Sequence, residues 1–157
     1  MSLTWSDVMP GERRMALHVR PLIQALRPAL GDAAFDRFAA EAHEQGLVFT
    51  AAYDEEGRCA AVATHRVLAT SRGRVLFVDD LVTGAALRGA GVGARLLSHL
   101  MERAESSGCC RVELDSGVSN HAAHRFYQAR RMRVCALHFA RDVDVTGCVS
   151  GTGTPAR

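Results

Sequence analysis

The sequence predicts a mixed-sheet α/β domain, its sheet antiparallel in the first part and covered by helices on both faces. Three observations carry that prediction: two β-prone hairpins in the middle of the chain, an amphipathic helix opened by a glycine cluster, and a strand–helix alternation after it. A chain of 157 residues with 48% hydrophobic content is the size of one globular core. The reading is therefore a single three-layer domain over residues 1–143. Residues 144–157, small, polar and glycine-rich with no apolar face, read as a disordered tail.

Residues 12–30 place apolar side chains at helical spacing, but Pro21 lacks the amide that a helix interior needs, which predicts a kinked or split helix. Asp32 is a candidate N-cap for a second helix, with Ala34, Phe35, Phe38, Ala39 and Ala42 on its apolar face and Gly46 as its stop. "LVFTAAYD" and "RCAAVATHRVLAT" then flank the turn "DEEG", and "SRG" at 71–73 turns into "RVLFVDDLVT". These segments are rich in β-branched and small residues and predict three antiparallel strands. The helix after the glycines buries Val92, Leu96, Leu97, Leu100, Met101 and Ala104, and "SSG" at 106–108 ends it. "CCRVELD" alternates as a strand does, Ser119 or Asn120 caps a helix through "HAAHRFYQARR", and "MRVCALHFARDV" returns to strand character, completing a β-α-β-α-β run.

Composition excludes several functions. A net charge of +2 with both signs interspersed leaves no basic stripe for nucleic acid. The five cysteines form no CxxC pair, so reduced thiols are expected and no metal site. No window approaches the roughly 20 apolar residues of a membrane span, and the N-terminus lacks a secretory pattern, so a cytoplasmic protein is expected.

The glycines of "LRGAGVGARLL" pose the chemical question, because a glycine cluster opening a helix usually cradles phosphate. A P-loop requires Lys and Ser or Thr after its last glycine, where this chain has Ala94 and Arg95. A dinucleotide fingerprint is nominally met by Gly89, Gly91 and Ala94, yet "GAALR" separates the cluster from its strand, and hairpins precede it in place of a first βαβ unit. The third scheme is Arg-x-x-Gly-x-Gly, supplied by Arg88, Gly91 and Gly93. A second motif follows about thirty residues later in "LDSGVSNHAAHRFYQARRM", where Asn120, Ala123, Phe126 and Tyr127 stand in an Asn-x-x-Ala and aromatic-Tyr pattern. Together with "VDDLVT", these motifs resemble the GNAT superfamily of acyl-CoA-dependent N-acyltransferases, of bacterial type, across residues 75–140. The match weakens where relatives carry Gly-Phe after the tyrosine helix, since this chain has Arg131 and Met132.

The resemblance implies a GNAT-like fold and transfer of an acetyl group from acetyl-CoA to a primary amine of a small molecule or peptide. It implies direct attack in a ternary complex, acetyl-CoA as co-substrate and no metal, and leaves a homodimer open. It assigns the pyrophosphate to the loop formed by Arg88, Gly89, Ala90, Gly91, Val92, Gly93 and Ala94. There, unpaired amides and the helix dipole converge, and glycine permits a bulky anion to approach. The pantetheine arm and thioester are expected along the edge formed by Leu81, Val82 and Thr83, with a bulge freeing the amides of Leu81 and Thr83. An alkylamine is mostly protonated at neutral pH, so a base must take its proton, and Asp115 and Asp80 rank ahead of Asp79 for that task. Tyr127 is the candidate proton donor to the thiolate, and Asn120 either bonds the cofactor or caps its helix. His65 and His138 read as structural hydrogen bonders, and His121 and His124 as solvated. A non-catalytic acyl-CoA sensor and a nicotinamide-dependent oxidoreductase are the competing functions, and no motif names the amine.

Overall fold

The structure, a computed structural model, describes residues 1–145. The tail predicted for 144–157 lies outside the described residues apart from Asp144 and Val145. The chain divides into two compact units, Met1–Leu114 and Asp115–Arg157.

The first unit is built on a five-stranded sheet in the order β1-β2-β3-β4-β5. Its strands are β1 (Thr4–Asp7), β2 (Val48–Tyr53), β3 (Cys59–Thr70), β4 (Gly73–Thr83) and β5 (Arg111–Leu114). Neighbours from β1 to β4 are antiparallel, and β5 pairs with β4 in parallel, through Val75–Val78 alone. One face is covered by α1 (Arg20–Leu26) and α2 (Asp32–Glu44), whose Ile23, Phe35, Ala39 and Ala42 pack with Phe49, Ala51, Val62 and Val82. The other carries α3 (Val92–Ser106), whose Val92, Leu96, Leu100 and Ala104 pack with Ala52, Ala61, Ala63, Leu76 and Val78. Strand residues thus alternate between two apolar layers, each fully buried large side chain contributing roughly 1.5–3 kcal/mol.

Several local expectations change. The segment is divided just ahead of Pro21: a π-helical turn over Met15–Val19 runs into α1, and Arg20 N–H bonds Met15 O five residues back. The wider turn lets the chain arrive at Pro21 within the first positions of α1, where a missing amide costs nothing. Asp32 opens α2 as its first residue while Gly31 is the cap, so the carboxylate acts on the helix dipole and makes no capping bond. Met101, predicted to be buried, is 49% exposed.

The sheet has four antiparallel strands where three were predicted. β1 is too short and polar to announce itself; tertiary contacts hold it. Trp5 stacks on His99 of α3 at 4.7 Å, Asp7 takes a two-pronged bond from Arg103, and Thr50 Oγ1 donates to Asp7 at 2.7 Å.

In the second unit, α4 (His121–Gln128) forms as predicted, capped by Asn120, whose side chain accepts from Ala123 N–H. The closing strand of the predicted β-α-β-α-β run is absent: residues 132–145 form no strand, and Val134, Leu137, Phe139 and Val143 are 71–87% exposed. β propensity measures fit to a pleated, half-buried surface, so the β-prone composition of "MRVCALHFARDV" does not by itself make a strand.

Candidate active site

β4 is where the first unit becomes irregular. The β3–β4 ladder passes from Thr64–Asp80 to His65–Val78, leaving Asp79 as an extra residue in a bulge. β5 accompanies β4 only as far as Val78, so Asp79, Asp80, Leu81, Val82 and Thr83 run on beyond the parallel pairing. A strand edge left without its neighbour offers backbone donors and acceptors to an extended ligand.

The two adjacent aspartates are held differently. Asp79 is clamped by Arg66 of β3, whose Nη2 and Nε donate to its two carboxylate oxygens at 2.9 and 3.1 Å. Asp80 points to the face of α1, where Thr64 Oγ1 donates to Oδ2 at 2.8 Å and Arg27 Nη2 donates to Oδ1 at 3.3 Å. The Asp80 side chain is only 11% exposed. Thr64 and Arg27 were not singled out from the sequence. Thr64 becomes visible as the residue across from Asp80 once the bulge fixes the register, whereas no sequence signal marks Arg27.

Thr83 leads through Gly84 and a single 3₁₀ turn, Ala85–Leu87, into the glycine loop. Gly89 and Gly91 adopt φ of +82° and +80°, the left-handed region that side-chain-bearing residues rarely enter. Gly91 caps α3 without any side-chain bond, and the first backbone bond of the helix is Arg95 N–H to Gly91 O at 3.1 Å. The amides of Val92, Gly93 and Ala94 therefore precede the helical ladder at the positive end of a fifteen-residue helix. A Cβ at Gly89 or Gly91 would meet nothing within 4 Å, and Arg88, Gly89, Ala90 and Gly91 are exposed. These glycines face open space and serve no internal packing, so the loop fits a pyrophosphate as a cradle that a side chain would fill.

Tyr127, Asn120 and Asp115 belong to the second unit. Tyr127 is half-buried, and burial pushes its phenol above the ordinary tyrosine value, so it keeps its proton at neutral pH. Its ring meets Phe126 edge to face at 5.2 Å. Asn120 commits its Oδ1 to the helix cap. Asp115 follows directly on β5, and its carboxylate meets His138 Nδ1 at 2.9 Å, with 55% of the side chain exposed. His138 lies in no strand; His124 donates from Nε2–H to Gly117 O in the preceding loop at 2.9 Å. Among the described residues no group of three or more His, Cys, Asp or Glu side chains is placed to hold a metal ion.

A sheet that is antiparallel through β4, a strand edge released at a bulge, and a glycine loop opening the next helix together define a transferase fold that handles acyl-coenzyme A. The chain belongs to the acetyltransferase (GNAT) family, whose description matches residues 15–131, across both units. It is similar to the uncharacterized N-acetyltransferase YhdJ of Bacillus subtilis (strain 168), with 30% identity over 108 residues, 68% of this chain and 76% of the relative. Among solved structures, glucosamine-6-phosphate N-acetyltransferase from Arabidopsis thaliana superposes with a TM-score of 0.69 at 22% identity, covering 92% of this chain and all 100% of the other. AAC(6')-Iy, solved with a CoA-linked bisubstrate analogue of acetylneamine, gives a TM-score of 0.76 at 17% identity, covering 92% and 100%. The activity is GNAT-type transfer of an acetyl group from acetyl-CoA to an amine. The oxidoreductase reading is set aside by this membership.

Proposed function

We propose that the chain acetylates a primary amine of a small molecule or peptide by direct attack in a ternary complex, with Asp80 receiving the amine's proton. The observation that carries this reading is the state of Asp80. It is a mostly buried carboxylate on the bulged strand, with one oxygen anchored by Thr64 and the other in a single long contact with Arg27. Asp79 has both oxygens occupied by Arg66, and Asp115 is more exposed and paired with His138, so each is less suited to receive a proton.

Acetyl-CoA supplies the acetyl group as a thioester. The amides of Gly89, Gly91, Val92, Gly93 and Ala94 are the donors for its pyrophosphate, with Arg88 and Ala90 in the same exposed loop. Leu81, Val82 and Thr83 offer backbone to the pantetheine arm. Tyr127, a phenol held protonated by burial, donates to the departing thiolate. Asn120, already capping α4, contributes at most its free Nδ2 to the cofactor. Two of the structural relatives are, by their names, a glucosamine-6-phosphate and an aminoglycoside N-acetyltransferase, which makes glucosamine 6-phosphate and aminoglycosides the first acceptors to assay. No helix among the described residues is long and apolar enough to cross a membrane, and Cys59, Cys109, Cys110 and Cys135 are free thiols, which supports a reducing, cytoplasmic setting.

The test is Asp80→Asn assayed by thiol release. Turnover falls by about 100-fold or more, the lower end of the usual range for a positioned base, while CoA affinity holds. Wild-type turnover in Asp80→Asn, with the loss appearing instead in Asp115→Asn, transfers the role to Asp115.

A further inference from the structure

The two bonds to Asp80 are unequal in a way that a purely structural ion pair does not require. Thr64, fully buried on β3, fixes Oδ2 at 2.8 Å. Among the described residues Oδ1 accepts from Arg27 alone, at 3.3 Å, longer than the roughly 2.7–2.9 Å of a well-formed charge-assisted bond. Arg27 stands just past the end of α1, outside helical geometry at φ −127° and ψ 73°, with its side chain 56% exposed. The neighbouring pair supplies the contrast, since Arg66 holds Asp79 with two bonds from a side chain only 22% exposed. One arginine is locked to its carboxylate, and the other reaches in from solvent to touch a single oxygen.

We propose that Arg27 occupies, in the unliganded protein, the place taken by the acceptor's ammonium, and that the acceptor enters by exchange with this guanidinium. The inference rests on Asp80 being the carboxylate that receives the acceptor's proton. A buried carboxylate left without a partner is costly, so Arg27 keeps Asp80 paired while the site waits. A pair with one exposed member contributes little, so releasing Arg27 costs little. The arrangement also selects. An incoming ammonium restores the bond that Oδ1 loses, whereas a neutral hydroxyl or amide replaces a charged partner with an uncharged one. The acceptor class is therefore a protonated aliphatic amine. On contact, one ammonium N–H proton passes to Oδ1 and the nitrogen retains that bond's electron pair, which attacks the thioester carbonyl; the C–N bond forms, the C–S bond breaks, the thiolate leaves with the proton that Tyr127 donates, and the nitrogen's second proton passes to solvent.

Arg27→Gln separates the possibilities. With glucosamine and spermidine as acceptors, the variant lowers the amine KM by up to about fivefold and leaves kcat within about twofold, because the competing internal cation is gone. A direct readout follows the Arg27 Nε–H resonance, assigned by its loss in Arg27→Gln. Ethylamine hydrochloride moves it to the position seen in Asp80→Asn, and sodium chloride at equal ionic strength does not. A resonance indifferent to ethylamine, or a raised amine KM in Arg27→Gln, overturns the exchange. Wild-type kcat in Asp80→Asn instead overturns the assignment of Asp80 as base, so the two failures are distinguishable.

Discussion

The amide of Met132 donates to the carbonyl of Tyr127 at 3.1 Å, and with Arg131 N–H bonding Gln128 O at 3.0 Å it closes the end of α4. This pair of bonds is a Schellman closure, which requires a left-handed residue between them. Arg131 fills that position at φ +62°, the one residue other than glycine with positive φ among the described residues. The family pattern that the sequence resembles has glycine there. This helix ends in the same left-handed conformation that glycine favours and accepts the strain of a side chain in it.

Arg131→Gly is accordingly expected to stabilise the protein by about 1 kcal/mol, since the left-handed conformation carries no Cβ penalty for glycine and the gain exceeds its greater freedom when unfolded. For a chain of this size that is a rise in Tm of about 2–4 °C. Calorimetry of the pair decides it, and an unchanged or lowered Tm means that Arg131 makes compensating contacts.

A second prediction concerns pH. Thr50 has one hydroxyl proton and gives it to Asp7, so His65 must donate to Thr50 from Nε2–H at 2.9 Å. Burial, with the positive charge of Arg103 nearby, pushes the His65 imidazole down to about 4. A folded-state value below the unfolded value near 6.5 means that the unfolded chain binds more protons between those limits. Stability from this group is fully present above about pH 6.5 and is lost as pH falls toward 4, by about 3 kcal/mol at most. Urea unfolding at pH 7 and pH 4.5 should show this fall in the wild type and a flatter profile in His65→Gln. An equal fall in both would locate the acid sensitivity elsewhere.

What the sequence made legible follows from where the information is local. Glycines that need positive φ, such as Gly46, Gly57, Gly91 and Gly108, mark element ends in the chain itself, and the apolar face of α3 is written in a 3.6-residue period. β1 was hidden because four residues, Thr4–Asp7, carry too short a pattern and are held by Trp5, Asp7 and their distant partners. "MRVCALHFARDV" failed in the opposite sense, showing a strand's composition while residues 132–145 form no strand. In the site, adjacent Asp79 and Asp80 were visible as a pair, but the difference between them depends on Arg66, Thr64 and Arg27, each brought by pairing or packing that no local spacing encodes.

Gly91→Val tests the phosphate cradle. The valine costs stability through backbone strain at φ +80°, yet its Cβ has no non-neighbouring protein atom within 4 Å. Any additional effect falls on a ligand occupying that space. The variant should therefore bind CoA about tenfold or more weakly by titration calorimetry, at a temperature where its own unfolding curve shows it folded. An affinity within twofold of wild type would remove the loop from phosphate binding.

Tyr127→Phe tests the proton donor. The substitution keeps the ring and its edge-to-face contact with Phe126, and it removes only the hydroxyl. Because burial raises the phenol's pKa, the wild-type residue is a donor across the whole neutral range and should add no alkaline limb of its own near pH 8. If the hydroxyl protonates the leaving thiolate, Tyr127→Phe lowers kcat by about 100-fold at saturating substrates with CoA affinity nearly unchanged. If it only packs, kcat is retained and a loss of stability is the sole effect. The two readings thus part on kcat against Tm, and the pH profile adds a third line. A thiolate that must then find its proton in solvent makes the residual rate of the variant fall as pH rises, where the wild-type rate stays level.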